Sequence, residues 1–134
     1  MNYFIDSNVV IDAIRSKQAS TISEHFKKVD FSQIKISTVV IAELEYGALH
    51  SSNYSKSRNQ YRNFIKGFEI IPFTEKEADF YGKIRQQLTE DGTPIGANDM
   101  LIAATALADE AVIVTHNVDE FSRVKGLIVE DWTK

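Results

Sequence analysis

The sequence predicts one α/β domain, residues 1–134, with a central parallel sheet flanked by helices in three layers. Two patterns lead there. Short β-branched and aromatic runs alternate with helical stretches along the whole chain, and several of those runs stop at a polar residue that opens a helix. The bulk agrees: 134 residues suffice for one self-supporting core, and 43% hydrophobic with 25% charged residues is a globular composition. There is no repeat, low-complexity tract or linker.

Composition removes several classes of function. The chain has no cysteine, which excludes disulfide frameworks, thiolate metal sites and cysteine nucleophiles. No signal-peptide pattern opens the chain, and no apolar run approaches the roughly 20 residues of a membrane span. A cytoplasmic protein without a membrane partner is expected. A net charge of −4 speaks against a general nucleic-acid coat, but not against a nuclease whose metal-binding carboxylates are a local excess of charge.

The first strand is Tyr3-Phe4-Ile5, whose residue types fit a buried pleat. It stops at Asp6, where an open α/β sheet binds its ligands; the alternative is that Asp6 only caps a helix. Ser7 and Asn8 can start that helix, which runs to about Arg15. A second helix is expected over Ala19 to Lys28, with Ile22 and Phe26 on one face. Ile34 to Ser37 alternates as a short strand, and Thr38 is the expected cap of a helix from Val39 to His50. On it Val40, Ile41, Leu44 and Ala48 make the buried stripe. Glu43 and Glu45 lie at its two edges, and the helical wheel does not choose between them.

Asn53 to Gly67 holds Lys56, Arg58, Arg62 and Lys66 and no acid. Arg58, Arg62 and Lys66 recur every four residues, so on a helix they form one basic ridge: an RNA or partner surface, or a solvated face. Phe68 to Phe73 is a strand stopped by Pro72. Thr74 and Glu77 have capping-box spacing and open a helix to about Leu88; Glu90 to Pro94 is a loop. Ile95-Gly96-Ala97-Asn98-Asp99 then leads into Met100 to Ala108, apolar on every face apart from Thr105, hence a buried helix. Asp99 sits at its mouth. The helix dipole favours a carboxylate there, but Asn98 can serve as the cap, which frees Asp99 for function. Ala111 to Thr115 is another core strand, ending in a polar turn, Thr115 to Phe121. Leu127 to Val129 is the expected last strand, followed by the tail Glu130 to Lys134.

Asp6, Asp99 and the Thr115–Glu120 turn thus carry oxygen ligands at strand ends or helix mouths, with Glu43 a further candidate. In a parallel sheet such ends gather on one edge. Carboxylates that converge repel one another unless a cation joins them. Oxygen donors without a histidine or cysteine cluster select Mg²⁺ or Mn²⁺ over zinc. Phosphodiester hydrolysis is the chemistry such a site favours. No phosphate-cradling glycine loop is present, the histidines lack HExxH spacing, and no nucleophile elbow surrounds Ser7 for a Ser7–His116 arrangement.

With Asp6-Ser7-Asn8, Glu43, Gly96-Ala97-Asn98-Asp99 and the Thr115–Phe121 turn on the page, the chain resembles the PIN-domain ribonucleases, and among them the VapC toxins of toxin–antitoxin pairs. The likeness runs the length of the chain. Thr115-His116-Asn117 with Glu120-Phe121, and Asp131-Trp132-Thr133, resemble the branch that cuts initiator tRNA in its anticodon loop. The resemblance implies Asp6 and Asp99 as the principal metal-binding aspartates and Glu43 as the helix glutamate. At the position of a frequent fourth acid this chain has Asn117, leaving Glu120, or else Asp119, to supply the charge. Asn8 and Thr115 are implied as auxiliary groups. A VapB-type antitoxin whose tail enters the active-site groove, a homodimer and a higher toxin–antitoxin assembly are implied too, and Arg58, Arg62 and Lys66 could touch RNA or that tail. Two rivals stand beside this reading. One is a PIN scaffold weakened at Asn117 that only binds RNA or antitoxin. The other is a phospho-accepting receiver, whose fold needs an aspartate ending the third strand, where Phe68 to Phe73 has none.

Overall fold

The computed structural model describes residues 1–16 and 21–134. Strands and helices alternate as β1 (Tyr3–Ile5), α1 (Ser7–Arg15), α2 (Thr21–Lys28), a 3₁₀ turn (Phe31–Gln33), β2 (Ile34–Ser37), α3 (Thr38–His50), α4 (Tyr54–Ile65), β3 (Glu69–Ile71), α5 (Glu75–Asp91), α6 (Ala97–Ala108), β4 (Val112–Val114), α7 (Val118–Phe121) and β5 (Ile128–Glu130). Among the described residues the strands form one parallel sheet, in the order β3-β2-β1-β4-β5. Successive strand residues point to opposite faces. Phe4 and Ile5, and Val112, Ile113 and Val114, are nonetheless all at most 2% exposed, so the central strands are covered on both faces. That is the three-layer architecture, reached from burial alone.

Several element ends differ from the sequence reading, each for a local reason. Any start of α2 at Ala19 lies outside the described residues. Asp6, rather than Ser7 or Asn8, is the N-cap of α1, its Oδ1 accepting from Ser7 N at 2.8 Å. Ser37, not Thr38, caps α3: the Ser37 hydroxyl already accepts from Val39 N at 3.0 Å, and Thr38 is the first helical residue. Gly96, not Asn98, stands at the N-cap of α6, because the helix begins two residues earlier than Asp99. The capping box of Thr74 and Glu77 is present, yet α5 continues to Asp91. Gln86–Glu90 and Gln87–Asp91 hydrogen bonds one turn apart carry it past Leu88, until Gly92, at φ +67°, ends it in the left-handed conformation.

Phe68 belongs to the turn that closes α4, its N–H bonded to Ile65 O at 3.0 Å, so β3 is only Glu69–Ile71. The last strand is shifted by one residue, to Ile128–Glu130, in register with Val112–Val114. The apolar α6 is the core helix its composition predicts: Ile102, Ala103, Ala104, Thr105 and Ala106 are all at most 1% exposed, and Thr105 turns its hydroxyl back to Leu101 O. α5 packs along it.

The tail is bound into this core. Trp132 is 1% exposed, stacks on His25 at 5.4 Å and meets Phe26 edge-on at 5.1 Å, with its indole N–H on Glu130. Trp132→Ala is therefore expected to destabilise the fold by about 3 kcal/mol, the lower end for a buried aromatic, measured as a lower urea midpoint.

Candidate active site

The sheet order places the site. From β1 the chain builds outward through β2 to β3 on one side, while β4 and β5 lie on the other, so the direction of winding reverses between β1 and β4. At such a reversal the loops leaving the two strands part and open a crevice beyond their carboxyl ends. Ile5 pairs with Val114, which sets Asp6 and Thr115 side by side at that crevice. Thr115 Oγ1 donates to Asp6 Oδ2 at 2.8 Å and accepts from Asn117 N at 3.0 Å. Asn8, in the first turn of α1, bridges the same two strand ends. Its Nδ2 lies 3.4 Å from Asp6 Oδ2, and its Oδ1 accepts from His116 N at 3.3 Å.

The structure separates the two glutamates of α3. Glu43 faces the crevice, where Ser7 Oγ donates to its Oε1 at 3.1 Å and Asn98 hydrogen-bonds it from the first turn of α6. Glu45 faces the other way, into α4: Tyr54 donates to its Oε2 at 2.7 Å, and Tyr61 and Arg58 both reach its Oε1. The two tyrosine hydroxyls, and then Arg58, hold the Glu45 carboxyl down to about 2. That glutamate is occupied structurally.

Asp99 enters from the mouth of α6. Asn117 Nδ2 lies 3.3 Å from its Oδ2, and Glu120, one turn further on, hydrogen-bonds Asp99 and Asn117. Gly96 lies beside it: a Cβ there would stand 3.5 Å from Asp99 Oδ2, in ordinary van der Waals contact. Asn117 turns its amide nitrogen, not its carbonyl, toward the acids. Asp119 is exposed and takes no part in the hydrogen bonds that join Asp99, Asn117 and Glu120.

The electrostatics follow from this crowding. Burial pushes the Asp6 carboxyl up, against the pull of Thr115 and Ser7. Burial, then the charge of Asp6, raises Glu43. Burial raises Asp99 to about 7, helped by the proton it shares with Glu120 and by repulsion from Asp6, Glu120 and Glu43. Glu120 is correspondingly lowered, being the member of the pair that receives the proton. Among the described residues no lysine or arginine forms an ion pair with Asp6, Glu43 or Asp99.

Oxygen donors with surplus negative charge and no lysine or arginine paired to them among the described residues fit a hard divalent ion, so the residues present suit the metal that the sequence implies. Among the described residues no three acidic or histidine side chains close into a ready-made metal cage. This is compatible with Mg²⁺, which keeps several waters and uses one or two carboxylates directly.

The other singled-out residues lie as follows. Arg58, Arg62 and Lys66 do not form one continuous helical ridge, because α4 ends at Ile65 and Lys66 is already in the turn. Arg58 is paired with Glu45, and Arg62 lies over the Tyr61 ring at 5.3 Å. The His116 ring is held between Asp12 and Asp131. From Glu43 a groove of about 290 Å³ runs between α1, α3 and α4, lined by Ile11, Ile14, Arg15, Leu44 and Tyr61. Sequence reasoning missed Ser7 and Asn98 as partners of Glu43; both flank acids already chosen, which was the available signal.

Comparison with known proteins agrees with this architecture. The PIN domain family model matches residues 3–127. Ribonuclease VapC2 of Rickettsia felis is 37% identical over the full length of both chains. The tRNA(fMet)-specific endonuclease VapC of Shigella flexneri is 33% identical over 99% of each chain. Among solved structures, DNA-bound VapBC from Salmonella typhimurium superimposes with a TM-score of 0.90 at 32% identity, covering 98% of each chain. The chain belongs to the PIN-domain family, among its VapC ribonucleases. Among the described residues no helix is long and apolar enough to cross a membrane.

Proposed function

We propose that the protein is a Mg²⁺-dependent endoribonuclease, the toxin of a toxin–antitoxin pair, acting in the cytoplasm on tRNA, with the initiator tRNA anticodon loop as its target. The observation that carries this reading is the set of mutually repelling acids, Asp6, Glu43 and Asp99, at the β1/β4 reversal, with no lysine or arginine ion-paired to them among the described residues. Divalent metal supplies a water of lowered pKa and a counter-charge for the phosphate. Asp6 and Asp99 are its principal holders, with Glu43 and Glu120 completing the acid set and Mn²⁺ an acceptable substitute for the same oxygen donors. Thr115 keeps Asp6 in place through its hydroxyl, and Asn117 does the same for Asp99. Asn8 ties the first helix to both strand ends. Cleavage would leave a 5′-phosphate and a 3′-hydroxyl.

The substrate and partner follow from relatives. The Shigella protein is named for tRNA(fMet), and the Rickettsia and Salmonella structures are of VapBC. We assign a VapB-type antitoxin to this chain, its tail lying in the groove beside Glu43, where Arg15 and an apolar floor suit a mixed peptide. A homodimer and a larger toxin–antitoxin assembly complete the proposal. Of the basic trio, Arg62 and Lys66 are the exposed members available to RNA or to that tail.

Incubating the purified chain with total tRNA, with and without Mg²⁺, tests the reading. New ends confined to one tRNA species and to the Mg²⁺ sample are expected. RNA that is retained equally in EDTA and never shortened would instead identify a binding module.

A further inference from the structure

Resting on the reading of Asp6 and Asp99 as working acids, we propose that His116 is a positioning residue whose clamp between Asp12 and Asp131 sets the Thr115–Asn117 turn against both of them. The His116 ring lies with Nε2 on Asp12 of α1 and Nδ1 3.3 Å from Asp131 Oδ1 in the tail. Asp131 is itself fixed, accepting from Thr133 N at 2.9 Å and from the Thr133 hydroxyl. The neighbouring Trp132 is seated in the core, so the tail is a firm anchor. On the other side Asn8 and Asp12 are one helical turn apart on α1. One takes the His116 backbone N–H and the other takes its ring.

The residue is thus gripped at three points, none of them a site acid. Its two chain neighbours are the ones that reach inward: Thr115 to Asp6 at 2.8 Å and Asn117 to Asp99 at 3.3 Å. A short turn with one residue immobilised from outside leaves its neighbours little freedom. Asp131 therefore acts on the site through His116, without touching its acids.

The test measures kcat and KM on tRNA, and amide exchange of Asn117 in EDTA, for wild type, His116→Ala, Asp131→Asn, their combination, Asp6→Asn, and His50→Ala as a control on an exposed helix face. His116→Ala should lower kcat about 10–100-fold, the usual cost of losing a partner that orients a metal-site group, with KM unchanged. Asp131→Asn should act in the same direction, and should cost nothing further once His116 is gone, because coupled residues are not additive. In both variants the Asn117 N–H, which rests on Thr115 Oγ1, should exchange about 10-fold faster as the turn opens locally. Asp131→Asn leaves the turn's own residues intact and carries the test if His116→Ala does not fold. A wild-type kcat in either variant, multiplying effects, or unchanged exchange overturns the clamp. A wild type that cleaves, beside an inert Asp6→Asn and a full-rate His116→Ala, overturns the clamp alone; a wild type that leaves RNA intact removes the nuclease reading and the clamp with it.

Discussion

Asp6→Asn and Asp99→Asn should each lower RNA cleavage by at least about 10³-fold, the upper range for losing one preorganised electrostatic group at a reacting centre. The fold should survive both. In the metal-free chain both carboxylates are held up by burial, and Asp99 also by repulsion from its acidic neighbours, so ionising them works against folding. An amide of the same shape removes that cost: at residue 6 the oxygen that caps Ser7 N is kept, and the amide nitrogen that replaces Oδ2 can donate to the Thr115 hydroxyl instead of accepting from it. The expected result is a variant as stable as the parent, or more so, in EDTA, and inert toward tRNA in Mg²⁺. Matched melting curves and a gel-based cleavage assay check it. Turnover within about 10-fold of wild type would remove the assigned role of these acids.

The second large effect is metal removal. Chelation should abolish cleavage and restore the repulsion among the acids. Asp99 has its pKa raised from 3.8 to about 7, so the stability linked to its proton is fully present below pH 3.8 and is lost as pH climbs through about 7. Asp6 and Glu43 are shifted in the same direction, whereas Glu120, being lowered, contributes with opposite sign only in the acid range. Metal-free protein should therefore become less stable between pH 5 and pH 8, roughly the window in which the raised Asp99 loses its proton. The slope should flatten in Asp99→Asn. Mg²⁺ at about 100 times its Kd should return about 2.7 kcal/mol. Because the ion must displace the Asp99 proton, apparent affinity should rise with pH over the same interval. Urea titrations in EDTA and in Mg²⁺ at pH 5 and pH 8 decide the matter: equal midpoints in all conditions would show that no cation answers these charges.

The fold class was legible because its signal is repeated along the chain: short β-branched and aromatic strands alternating with helices. Asp6 and Asp99 were legible for a local reason, one ending a core strand and the other opening an apolar helix. Glu43 was not separable from Glu45 by periodicity, since both lie at the edges of one stripe. What separates them is distant in sequence: Tyr54, Arg58 and Tyr61 claim Glu45, while Ser7 and Asn98 turn toward Glu43. The basic spacing of Arg58, Arg62 and Lys66 was visible. That Arg58 is neutralised from α3, and that the helix stops short of Lys66, are tertiary and end effects that spacing does not contain. The caps went wrong by one or two residues wherever adjacent polar residues, such as Ser37 and Thr38, could each do the work.

The Thr115 hydroxyl bound to Asp6 joins positions 109 apart in a chain of 134, and Glu120 lies later still. Both ends of that span must therefore leave the ribosome before the site can close. The acids stay apart until the stretch from Asp6 to Glu120 has emerged and the long loop closes, a step that non-local parallel pairing makes slow.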